Sequence, residues 1–284
     1  MIQHGLEPIK RRKTNYSHTR TFGTVTDTGQ FPVEYNADAG FSVPDQNADG
    51  YPNGCRGYTQ NELCQDQDRV PYKSSFLNEK TRLAEGTDQV EAGPIYTSLE
   101  VACTYGLQRD IEQTDADALK HKRGRYFDVD KAPGFDWFDT FRSTLWIGRI
   151  AGISISFGSP WFPELQRPAG GVVREIDVVR GGSHPWDVYA GHNWKICGWK
   201  TISGEPYLIG KPWCGKDYGD GGFLYLSREA FNRLMIVPGV GGFTVRKWDG
   251  TIATVRWGMI YNIRLQLRFY AQIIGKTVGS LLRV

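Results

Sequence analysis

The apolar pattern changes period partway along the chain, and this change limits the fold more than any other feature. In IYTSLEVACTYGLQ, residues 95–108, Ile95, Leu99, Ala102 and Cys103 recur at three- and four-residue steps and stop at Gly106, the pattern of a helix with a glycine end. DWFDTFRSTLW at 136–146 is a second amphipathic stretch. Beyond it, residues 150–157 and 172–179 alternate or run apolar in β-branched residues, as strands do. A helical, loop-rich first part followed by a β-rich second part predicts an α+β fold.

Three sections follow from the same reading. Residues 1–35 mix Lys10, Arg11, Arg12 and Lys13 with threonine, glycine and proline and lack apolar periodicity, which predicts a basic arm. Residues 36–240 form the main domain. In 241–284, FTVRKW and TIATVRW flank Asp249-Gly250, a pair suited to a type I′ hairpin turn. Ile260, Ile263, Leu267, Ala271, Ile274, Val278 and Leu281 then mark an amphipathic helix of about six turns. Residues 245–284 carry seven basic side chains against Asp249 alone, so both ends are basic. The arm and the final helix are expected to dock onto other subunits of a larger assembly.

A net charge of +3 is too mild to predict a nucleic-acid partner. No stretch has the length and apolarity of a membrane span, and no leader pattern precedes the domain, which predicts a protein soluble in the cytoplasm at synthesis. The five cysteines, Cys55, Cys64, Cys103, Cys197 and Cys214, include no C-x-x-C pair and have no histidines at ligand spacing, so neither a metal nor another cofactor is expected. The odd number leaves at least one thiol outside any internal pair.

The most specific stretch is AGHNWKICGWKTISGEPYLIGKPWCGKDYGDGGFLYLSRE, residues 190–229. It resembles the papain-like cysteine peptidases. In that family a histidine opens a strand in a pattern like G-H-A-V-x-x-V-G-Y, and a later strand reads like P-Y-W-I-V-K-N-S-W-G-x-x-W-G-D-G-G-Y. Gly191-His192, Gly198-Trp199, Pro206-Tyr207, Ile209, Lys211, Gly215 and Gly219-Asp220-Gly221-Gly222-Phe223 answer to these patterns in order. Upstream, Asp45-Gln46 ahead of Gly54-Cys55 resembles the family's glutamine, glycine-rich turn and nucleophilic cysteine. His192 lies 137 residues after Cys55, within the family's separation of about 130–150. GPIYTSLEVACTYGL, residues 93–107, is similar to the family's groove edge and the helix that follows it.

The resemblance implies a two-lobed fold, a helical lobe facing an antiparallel β-barrel-like lobe, and a peptide or protein substrate. It implies Cys55 as nucleophile, His192 as its base and Gln46 as oxyanion donor, with Gly93, Pro94 and Trp213 along the substrate groove. His184, in GGSHPW, is the rival base. Three departures are visible. Gln46 stands nine residues before Cys55, with residues 47–53 as an insertion, and Arg56 rather than an aromatic follows the cysteine. Setting KPWCG on K-N-S-W-G also puts Pro212 at the asparagine that orients the histidine. These departures, with the basic ends, leave an alternative: a catalytically impaired papain-like fold serving as a structural virion component, capsid or tail, of a bacteriophage. A transferase or amidase using the same dyad is a third reading.

Overall fold

In a computed structural model the described residues are 19–22, 31–41, 43–86, 95–129, 134–178, 191–236 and 241–246. Gly93, Pro94, His184, the Asp249-Gly250 turn and the 260–281 helix lie outside them. The strands are β1 (Thr19–Phe22), β2 (Tyr35–Asn36), β3 (Arg123–Val129), β4 (Ile155–Pro160), β5 (Val172–Val173), β6 (Gly191–Ile202), β7 (Glu205–Lys211), β8 (Leu224–Ser227) and β9 (Gly241–Arg246). The helices are α1 (Cys55–Asp68), α2 (Ser74–Glu85), α3 (Ile95–Thr104), α4 (Asp115–Leu119), α5 (Trp137–Gly148) and α6 (Arg228–Ile236).

The strands form one sheet in the order β1-β3-β9-β4-β6-β7-β8-β5, with β2 also on β6. Pairing is antiparallel except for β1 on β3 and β5 on β8. Residues 19–22, 35–36 and 241–246 are thus built into the same sheet as the central strands. Turning β6 into β7 takes two residues of positive φ, Ser203 (52°) and Gly204 (88°), the conformation of a type I′ hairpin. Gly198, at the irregularity in the β6–β7 ladder, is a glycine because β2 crosses it: a Cβ there would lie 1.9 Å from the Tyr35 carbonyl oxygen.

Helix α5 forms as its sequence predicts. Asp136 caps it by accepting from the Asp139 N–H at 2.8 Å, and Phe138, Phe141 and Leu145 recur on one buried face. That face meets Phe157 of β4 and Phe231 of α6, whose rings stand 4.8–6.4 Å from those of α5. Helix α3 stops before Gly106, which takes φ +82° where a Cβ would sit 1.9 Å from the Ala118 carbonyl oxygen. Gly106→Ala is therefore expected to destabilise the protein by about 2–4 kcal/mol, combining a left-handed backbone with a backbone clash. Urea midpoints check this; a loss below 0.5 kcal/mol would show that the turn relaxes freely.

Two expected strands are shorter than their apolar runs. Residues 149–151 form a 3₁₀ turn closed by Gly152 at φ +62°, so β4 starts only at Ile155. β5 covers Val172–Val173 alone, because the next carbonyls are used by side chains: Arg174's by the Ser227 hydroxyl and Ile176's by Arg233. Backbone groups satisfied this way do not extend a ladder.

Helix α1 was not legible as a core element. Its sequence, CRGYTQNELCQDQD, has no apolar stripe, yet twelve of its fourteen residues are buried. Polar partners on every side compensate. Arg56 makes a two-pronged ion pair with Glu85 of α2, and Arg123 of β3 grips Asp68 at 2.7 and 3.2 Å. The Asn61 amide donates to the Tyr72 carbonyl and the Ser74 hydroxyl, while the Tyr72 N–H donates to Gln65.

Candidate active site

Cys55 is the first residue of α1 and is wholly buried. It occupies a loop-to-helix junction, where the unpaired N–H groups of the first turn favour negative charge on a nearby sulfur. No side chain caps this end, the N-cap being Gly54. The positive charge of the adjacent Arg56 is engaged by Glu85.

His192 is the second residue of β6, opposite Ser159 in the β4 register, and is also wholly buried. The start of α1 and the start of β6 are joined through Trp213. Its indole N–H is shared between Thr59 Oγ1 at 2.8 Å and the Asn193 carbonyl at 3.0 Å, and the Thr59 hydroxyl donates to the Cys55 carbonyl at 2.7 Å. One side chain thus links the turn that begins with Cys55 to the residue after His192. Trp213, which the resemblance put at the substrate groove, is wholly buried and stacks on Tyr58 at 6.5 Å. Its indole acts as a tie between α1 and β6.

Gln46 belongs to the same junction. It is buried, its N–H donates to the Trp213 carbonyl at 3.1 Å, and its side-chain amide donates to the Pro52 carbonyl at 2.7 Å. The inserted turn is regular: Asp45 accepts from the Asn47 and Ala48 N–H groups, and Tyr51 N–H returns to the Gln46 carbonyl. Across from it, Asp45 bridges to Cys214. Burial, with negative charge on Asp45 and on Cys55 adding, pushes the Cys214 thiol up to about 12, so at neutral pH it is a protonated neighbour of Cys55. None of the five cysteines is in a disulfide. Burial also raises Cys103 and Cys197, which suits packing roles.

Trp161, just past the end of β4, was not singled out by sequence. Its ring lies 4.7 Å from the His192 ring at an interplanar angle of 64°. The pairing of Ser159 with His192 puts it there, and no local pattern announces that register.

Behind the junction lies a buried ionic cluster. Lys195 of β6 and Lys211 of β7 meet Asp38 and, on α1, Glu62 and Asp66. Lys195 Nζ lies 2.9 Å from Asp66 and 3.3 Å from Glu62; Lys211 Nζ lies 3.0 Å from Glu62 and 3.1 Å from Asp38. Burial opposes ionisation of Asp38, but the two lysines outweigh it and hold its pKa low. For Asp66 burial wins over Lys195 and the pKa rises. Lys195 is pushed up because its carboxylates outweigh its own burial. The three carboxylates are close enough to share a cation, and the lysine ammoniums already fill that role.

No protein-family model matches this chain, and no curated protein matches it by sequence. Solved structures match it by fold. A digestive procathepsin L2 proteinase from Tenebrio molitor larval midgut aligns with a TM-score of 0.61 at 12% identity, over 86% of this chain and 78% of that one. ProCathepsin B S9 from Trypanosoma congolense aligns at 0.59 with 13% identity, over 86% and 87%. Xylellain, a cysteine protease from Xylella fastidiosa, aligns at 0.58 with 12% identity, over 77% and 88%. The chain has the α+β fold of the papain-like cysteine proteases. No helix among the described residues is long and apolar enough to cross a membrane.

Proposed function

We propose that this protein is a cysteine peptidase acting through Cys55 and His192. The observation that carries the reading is the Trp213 link, which joins the helix start bearing Cys55 to the strand start bearing His192 inside a papain-like fold. The Cys55 thiolate attacks the scissile carbonyl carbon. The resulting oxyanion is held by the Cys55 N–H and the Gln46 side-chain amide. Protonated His192 gives its proton to the departing amine, leaving a thioester on Cys55. His192 then takes a proton from water, whose oxygen attacks the thioester and releases a carboxylic acid and the thiolate. Gly93 and Pro94 belong to this reading as groove residues, and the substrate is an unfolded or extended polypeptide.

A second reading, a papain-like fold retained as a structural part of an assembly such as a virion, is favoured by one observation: Cys55, His192 and Gln46 are all closed to solvent. Incubating the full chain with a denatured protein and mapping the products by mass spectrometry separates the two. The peptidase reading expects new peptide termini that disappear in His192→Ala. No cleavage between pH 4 and 9, by a chain whose fold is verified by circular dichroism, would favour the structural reading.

A further inference from the structure

We propose that Tyr58 is the positioning residue of Gln46, acting through the inserted turn at 47–53 so that the Gln46 amide and the Cys55 N–H are held on one rigid unit. The inference rests on the peptidase reading for its catalytic meaning; its geometry does not depend on that reading.

Two donors stabilise an oxyanion best when both point at the same place before the reaction starts. Gln46 stands nine residues before Cys55, and the inserted NADGYPN is mostly turn formers without an apolar face to bury. Hydrogen bonds make this turn compact. The Asp49 N–H donates to the Asp45 carbonyl at 2.9 Å, the Gly50 N–H to the Asn47 carbonyl at 3.2 Å and the Gly54 N–H to the Tyr51 carbonyl at 2.8 Å. The end of the turn meets Gln46 twice: the Tyr51 N–H donates to the Gln46 carbonyl at 2.7 Å, and the Gln46 side-chain amide donates to the Pro52 carbonyl at 2.7 Å. Gln46 makes other contacts as well, and the Pro52 bond is where the inserted turn holds the nitrogen assigned to the oxyanion. A primary amide nitrogen carries two N–H groups at a fixed angle, so holding one on Pro52 sets the direction of the other.

Tyr58 ties this turn to the helix that carries the nucleophile. It is the third residue after Cys55 on α1 and is 2% exposed. Its hydroxyl donates to Asp49 at 2.8 Å, and its ring meets that of Tyr51 edge-on at 6.5 Å. Tyr58 thus grips the turn on both sides of Gly50 and immediately before Pro52. The same ring stacks on Trp213, whose indole is fixed to Thr59 and the Asn193 carbonyl. Burial, with the hydrogen bond to Asp49 adding, pushes the Tyr58 hydroxyl well above its ordinary pKa, so it remains a donor at neutral pH. Asp49 is exposed, so losing this bond loosens the turn without opening the core.

The test is NMR relaxation of the Gln46 side-chain amide nitrogen in the full chain, assigned by the signals missing from Gln46→Glu. Tyr58→Phe keeps the ring contacts and removes only the hydroxyl. The Gln46 order parameter is expected to fall from about 0.85, the rigid value, toward about 0.6, while backbone values at Phe141 and Leu145 of α5 stay the same. With fluorophore-labelled denatured casein as substrate, kcat is expected to fall about tenfold at unchanged KM. That loss should vanish in a Gln46→Ala background, because Tyr58 acts through Gln46. An unchanged Gln46 order parameter in Tyr58→Phe overturns the proposal, and so does a loss of kcat that persists in Gln46→Ala. If Tyr58→Phe fails to fold, Asp49→Ala removes the same bond from its exposed end and decides in the same way. A parent chain that cleaves nothing would count against the peptidase reading, while the order parameter still decides whether Tyr58 positions Gln46, so the two failures are distinguishable.

Discussion

Cys55→Ala is expected to lower peptide hydrolysis by at least about four orders of magnitude while changing stability by no more than about 1 kcal/mol. The asymmetry follows from position. The Cys55 sulfur lies on the first residue of α1, whereas the hydrogen bonds that hold this corner use the Cys55 carbonyl, Thr59, Trp213 and Asn193, none of which the substitution touches. Alanine keeps that carbonyl and suits a helix start. Rates on a cleaved peptide and urea midpoints measure the two effects. Unchanged hydrolysis would remove Cys55 from the mechanism, and a loss of several kcal/mol would make its role structural.

Lys195→Met is expected to cost about 3–5 kcal/mol in unfolding free energy, the scale of a broken buried ion pair. Lys195 is fully buried and meets Asp38, Glu62 and Asp66 at once, so its removal takes the lysine partner from Asp66 and leaves Asp38 and Glu62 to Lys211. The pH dependence distinguishes the acids. The depressed pKa of Asp38 adds stability above the ordinary carboxylate range, and this is lost as pH falls through its lowered value. The raised pKa of Asp66 works oppositely: its contribution is full at low pH and is lost as pH rises through the raised value. Asp66→Asn is therefore expected to lose less stability relative to the parent at pH 8 than at pH 5. Urea denaturation at the two pH values checks it, and the reverse order would mean that Asp66 is held ionised.

Local periodicity made α3, α5 and the glycine stop at Gly106 legible, because in each the buried face is a run of apolar residues at fixed steps. The start of α1 at Cys55 was legible too, from the turn formers ahead of it. The burial of α1 was not. Arg56, Glu62, Asp66 and Asp68 read individually as surface residues, and what permits them inside is a set of partners far away in sequence: Glu85, Lys195, Lys211 and Arg123. Trp161 was missed for a related reason, since its meeting with His192 depends on the β4–β6 register. Pro212 was legible as a departure from the family pattern.

The most direct measurement is labelling of the full chain with an epoxide electrophile across pH 4 to 9, with the modified cysteine mapped by mass spectrometry. A thiolate paired with an imidazolium gives selective modification of Cys55 well below pH 8, lost in His192→Ala, while Cys214, Cys103 and Cys197 stay unmodified. Modification of Cys55 no faster than a free thiol, rising only near pH 8.5 and indifferent to His192→Ala, would contradict an assembled dyad and leave a papain-like fold without its chemistry.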